Sequence, residues 1–76
     1  MRFSYSKKIN NLKRTLDLII FDWGVRAVVK DITEGSENFP HFDARNFRIT
    51  KRYPSVADNY DRAMKYYKME DAILVN

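Results

Sequence analysis

Few residues in this chain can do chemistry, and their spacing points to binding rather than catalysis. His41 is the only histidine, and there is no cysteine. His41 lies in a Phe39-Pro40-His41-Phe42-Asp43 segment with Glu37 and Asp43 as the nearest carboxylates, a set without recognised metal-ligand spacing. No metal or cofactor is therefore expected. His41, Glu37, Arg45 and Arg48 do contain the parts of a small metal-independent ribonuclease: an acid or base, plus cations for a phosphorane. Nothing in their spacing demands that use. Glycine-rich phosphate loops, nucleophile elbows and paired-carboxylate motifs are all missing from the sequence.

Cations are the better-patterned resource. The net charge of +4 over 76 residues is unevenly distributed. Arg2, Lys7, Lys8, Lys13 and Arg14 crowd the first fourteen residues, where there is no acid. Arg45, Arg48, Lys51 and Arg52 form a second basic segment, closed by Tyr53 and containing only Asp43 as an acid. The two segments carry +8 and the remainder −4, so the chain is polarised more than it is basic. Clustered Lys and Arg beside aromatic rings suit single-stranded nucleic acid, with cations following phosphates and rings stacking on bases. The nucleic-acid-binding residues expected on this basis are Arg2, Lys7, Lys8, Lys13, Arg14, Arg45, Arg48, Lys51, Arg52 and Tyr53. Phe39 and Phe42 are placed to reach the same surface. The competing bland reading is that Arg48 and Arg52 only solvate an outer sheet face. The glycine–aromatic signature of an RRM, the GXXG of a KH domain and helix-turn-helix spacing are all missing.

Eleven aromatic residues are more than one small core hides, which points to an oligomer interface or a binding surface. Tyr66 and the Ala72–Val75 tail are the candidates for a self-association or partner surface, and a homodimer is expected. In size and in its Lys/Asn/Tyr/Phe/Ile-rich make-up the chain is similar to the small accessory proteins of large bacteriophages. That resemblance implies action on host RNA or on a host protein such as a nuclease, and assigns no residue roles.

The elements that must position these groups are those of a single small domain, 1–76, of α+β class: a small antiparallel sheet packed with two helices. Arg2–Ser6 alternates as a strand. Ile9, Leu12, Leu16, Ile19 and Trp23, spaced by three and four, predict a helix near 7–23, closed by Gly24. Lys7 and Lys8 would then oppose the helix dipole. A rival parse makes Leu16–Asp22 a strand that turns at Trp23-Gly24. Val25–Thr33 is β-branched and reads as a central strand. Asn46–Tyr53 alternates as another, with Arg48, Thr50 and Arg52 on one face, until Pro54 stops it. Ser55 caps a helix near 56–70, with Asp58 at its third position and Val56, Tyr60, Ala63, Met64 and Tyr67 as its apolar stripe. Ala72–Val75 is a last strand or a helix extension. The expected order is β-α-β-β-α-β.

These elements leave three functions in view. The first is a cytoplasmic, non-enzymatic, RNA-preferring nucleic-acid binder. The second is a stoichiometric protein-binding inhibitor or adaptor using an aromatic surface, and the third the ribonuclease. The longest aliphatic–aromatic run, Leu18 to Phe21, is too short for a membrane span.

Overall fold

The computed structural model describes the backbone of all 76 residues and every side chain except those of residues 36–39. It is an α+β structure in which a five-stranded antiparallel sheet packs one face on one helix. The strands are β1 (Arg2–Ile9), β2 (Leu12–Phe21), β3 (Gly24–Thr33), β4 (Ser36–Arg48) and β5 (Ile73–Leu74), and helix α1 (Val56–Tyr66) lies between β4 and β5. The sheet order is β4-β3-β2-β1-β5. Four strands thus form a meander, and α1 carries the chain back to the far edge beside β1.

The expected helix over 7–23 is a correction: that segment is the end of β1, a turn, and all of β2. Asn10 takes the left-handed conformation at φ 56°, a shape asparagine tolerates, and the chain reverses there. Lys7 and Lys8 therefore oppose no helix dipole. The rival parse was nearer: Phe21 pairs with Gly24 across a two-residue turn at Asp22 and Trp23. Gly24 caps no helix. Its φ of 152° and its fit against the Phe47 carbonyl oxygen, which an added Cβ would strike, both require glycine at that turn.

The strand expected over 46–53 ends at Arg48, and β4 instead runs backward through the segment expected to be a connection. Pro40 is tolerated there because β4 is an edge strand. Past Ile49 the chain turns, with the Thr50 N–H donating to the Tyr53 carbonyl (3.1 Å) and the Tyr53 N–H donating to Thr50 Oγ1 (3.2 Å). The second expected helix is present but ends at Tyr66 rather than near residue 70. Ser55 Oγ accepts from the Asp58 N–H at 3.0 Å, which is the expected N-cap. At the other end Lys68 is left-handed (φ 57°), and Met69 N–H reaches the Met64 carbonyl in a Schellman closure. Of Ala72–Val75, Ile73–Leu74 forms β5, a strand rather than a helix extension.

Direct pairing puts opposed residues on one face, so the register sorts every strand side chain. Tyr5, Leu16, Leu18, Val25, Ala27, Val29 and Phe47 face α1 and close the core with Ala63, Met64, Tyr67 and Met69. The expected stripe of α1 is the face that packs, with Val56 and Tyr60 at its margin. Among the described residues no element covers the opposite sheet face.

A candidate nucleic-acid interface on the open sheet face

The register divides the first basic segment between the two faces. Lys7 and Arg14 are opposed to each other and point toward α1. Arg14 makes a bidentate contact with Asp31 (2.6 and 2.9 Å) and donates to the Tyr67 carbonyl at the C-terminal end of α1 (2.7 Å). The Asp31 hydrogen bond, partly opposed by burial, raises the Arg14 pKa, so the charge is held firmly. Lys7 donates to the Lys68 carbonyl (3.2 Å) and to Asp71 (2.5 Å), and that contact holds the Asp71 carboxyl below its usual range. Arg14 therefore caps the last carbonyl of α1, and Lys7 holds the carbonyl of the left-handed residue just past it, both at the negative end of the helix. They are structural, and not free for a ligand.

Arg2, Lys8 and Lys13 point to the open face instead. Arg2 pairs with Asp17 at 2.8 Å and Lys8 with Glu34 at 3.1 Å, both exposed contacts of little strength. Asp17 also accepts from Ser4 Oγ. Burial works against its ionised form, but the hydrogen bonds from Ser4 and Arg2 outweigh this and lower its pKa. Arg26 and Lys30 of β3 share this face, between β2 and β4, and the sequence reading missed both. Their signal was available in the alternation of Val25-Arg26-Ala27 and Val29-Lys30-Asp31. Arg48 of β4, opposed to Gly24, completes the set. Among the described residues Lys13, Arg26, Lys30 and Arg48 have no carboxylate partner, and the acids at this face are Asp17 on β2 and Glu34, which meets Lys8 from the turn after β3.

The aromatic complement is on the same side. Phe21 at the end of β2 stacks flat on Trp23, with ring centroids 4.8 Å apart and planes 3° from parallel. Trp23 is 47% exposed, and the Arg48 guanidinium lies 5.8 Å from its ring. Phe21, Trp23, Arg26, Ala44 and Asn46 surround a shallow hollow of about 310 Å³. At the β4 edge the Lys30 ammonium sits 5.7 Å from Phe42, which is 62% exposed. A flat ring pair, flanking guanidinium groups and almost no negative charge make a platform for a planar, anionic ligand.

The rest of the second basic segment lies elsewhere. Arg45 is on the helix side, hydrogen-bonded to Asp43 (3.2 Å) and stacked 5.0 Å from Tyr66. The hydrogen bond to Asp43 raises its pKa. Arg52 and Tyr53 join Arg62, Lys65, Asp58 and Asp61 around a groove of about 650 Å³ beside α1. There the Arg62 guanidinium lies 4.3 Å from the Tyr53 ring and 5.1 Å from Phe47. Two acids among three cations leave that groove nearly neutral, and Lys51 is exposed on the turn before it. Arg48 and Arg52, expected on one strand face, are thus separated by the end of β4. His41 and Arg45 share the helix-side face, whereas Arg48 is on the other, so these ribonuclease parts do not converge. Glu37 and Phe39 lie outside the described side chains. Among the described residues no three His, Asp or Glu side chains gather into a metal-binding group, and no helix is long and apolar enough to cross a membrane.

No protein-family description, curated protein or solved structure matches the chain.

Proposed function

We propose that this protein is a cytoplasmic, non-enzymatic binder of single-stranded nucleic acid, RNA by preference, that grips its ligand on the open face of the sheet. The observation that carries the reading is the parallel Phe21–Trp23 pair flanked by Arg26 and Arg48 on a sheet face covered by no element. Bases stack on the rings, and the unpartnered cations of β2, β3 and β4 follow the phosphates. Ser6, Thr15 and Asn46 on the same face offer hydroxyl and amide groups to ribose 2′-hydroxyls. An accessory role on host RNA fits the compositional resemblance to phage proteins.

An electrophoretic titration of a single-stranded RNA tests this. The Arg26→Glu/Lys30→Glu variant is expected to bind much more weakly and to lower the slope of log affinity against log salt by about 1.4, two contacts' worth. Unchanged affinity and slope in that variant would overturn the reading.

A protein-binding function draws on a different surface. Ile73, Leu74 and Val75 at the β5 edge are 73%, 51% and 57% exposed, an apolar strip suited to covering a target such as a nuclease. A complex that survives nuclease treatment and is lost on Ile73→Asp would favour it.

A further inference from the structure

We propose that β4 pairs with β4 of a second copy of this chain, antiparallel about a two-fold axis through Ala44, to make a continuous ten-stranded sheet. This inference stands apart from the nucleic-acid reading and can fail without it.

β4 is the outer strand of the sheet, with no strand beyond it. The Ile49 N–H donates to the Trp23 carbonyl at 2.8 Å, one step past the Gly24–Arg48 pair. Hydrogen-bonded and non-hydrogen-bonded pairs alternate along an antiparallel ladder. Asp43, Arg45 and Phe47 therefore bond to β3, and Phe42, Ala44, Asn46 and Arg48 turn their N–H and C=O groups outward. From His41 to Arg48 the register with β3 is unbroken, so no bulge interrupts this edge. Pro40, which has no N–H, bounds it. An edge of this length is a ready template for another strand.

Charge selects the occupant and the register. Antiparallel pairing about Ala44 sets Asp43 opposite the partner's Arg45 and Arg45 opposite the partner's Asp43, on one face. A two-fold axis through Asp43 would oppose the two aspartates, and one through Arg45 the two arginines. Axes through Phe42 or Asn46 pair neither charge with its opposite. Only the Ala44 register makes two complementary pairs, and it makes them because the strand is its own complement. It also joins outward-facing residues only with outward-facing ones, as the ladder requires: Ala44 with Ala44 and Phe42 with Asn46. The two α1 helices then lie on the same side. If each sits over β3, its main contact, three strand spacings of about 4.8 Å separate them. That exceeds the 8–10 Å of packed helices, and leaves room for Tyr66 and Arg45 between. The two open faces become one.

The natural chain has no cysteine, so single-cysteine variants read the register without background. In the proposed pair the two Ala44 Cα atoms are about 5.5 Å apart, within disulfide range. Under mild oxidation Ala44→Cys is expected to link into a covalent dimer. Phe42→Cys and Asn46→Cys are each expected to stay unlinked alone and to link when mixed. Ala44→Pro, which removes an outward N–H and leaves the β3 ladder intact, should weaken self-association about thirtyfold, two hydrogen bonds' worth, with unchanged circular dichroism. Asp43→Arg should weaken it too, and Asp43→Arg/Arg45→Asp should restore it. The proposal is overturned if light scattering finds the natural protein monomeric at millimolar concentration, if Ala44→Cys stays unlinked, or if folded Ala44→Pro associates as strongly as the natural chain.

Discussion

The two faces of one sheet use the same residue types for opposite purposes. Under α1, arginine and lysine are consumed: Arg14 is held by Asp31 and the Tyr67 carbonyl, and Lys7 by Asp71 and the Lys68 carbonyl. On the open face Lys13, Arg26, Lys30 and Arg48 have no carboxylate partner among the described residues. Aromatics divide likewise. Phe47, beneath α1, and Tyr67, at its C-cap, are buried, whereas Phe21 and Trp23 stack at the surface of the other side. A count of cations or rings therefore says little about binding until each is assigned to a face, and in a sheet the register makes that assignment.

The largest effect that sharpens this contrast is in packing. Leu16→Ala, beneath α1 and fully buried, is expected to cost about 2–5 kcal/mol in denaturant unfolding. Val28→Ala, half-buried on the open face, should cost about 1 kcal/mol or less. Equal costs would mean that the open face is a second core surface, covered by something in the native protein.

Next come the cations. Arg14→Met leaves Asp31 and the Tyr67 carbonyl without their donor and is expected to cost about 1.5–3 kcal/mol of stability. Arg26→Met should change stability by no more than about 0.5 kcal/mol and weaken nucleic-acid binding instead. The contrast breaks if the two variants exchange phenotypes.

Smallest is the pH response, which belongs mainly to the covered face. Burial, with the Tyr5 hydroxyl as hydrogen-bond partner, pushes the Tyr60 phenol up to about 12, and burial beside Asp43 raises Tyr67 as well. The unfolded chain ionises these groups first, near pH 10, so stability is complete below that pH and falls as pH rises toward 12. Tyr60→Phe should flatten that alkaline decline in a thermal-melt series. At the acid end the lowered Asp17 and Asp71 contribute fully above about pH 4 and lose their contribution below it.

Some of this was legible in the residues alone. Ser55, Asp58 and the Val56–Tyr67 stripe specify α1 locally, because a cap and a 3.6-residue period need no partner strand. β3 was visible in its β-branched run. β2 was not, because Leu12, Leu16 and Ile19 satisfy a three-four spacing while Leu16, Leu18 and Ile20 satisfy a period of two. A strand between two others is apolar on both faces, so its alternation is blurred, and pairing with β1 and β3 decides the matter. Asn10, left-handed where β1 reverses into β2, is the turn that the three-four spacing runs straight through. The candidate site suffered from the same error. With β2 taken as helix, Arg26 and Lys30 had no face to share with Lys13, and Arg14 was counted among the binding residues rather than as a cap for α1.

Trp23, the only tryptophan, reports on the central claim directly. Its fluorescence can be followed while a single-stranded RNA is titrated into the natural protein and into Arg26→Glu/Lys30→Glu. The expected result is saturable quenching in the natural protein, weakened by salt and lost in the variant. Binding that leaves Trp23 emission unchanged, or that persists undiminished in the variant, would contradict a ligand seated on the open face.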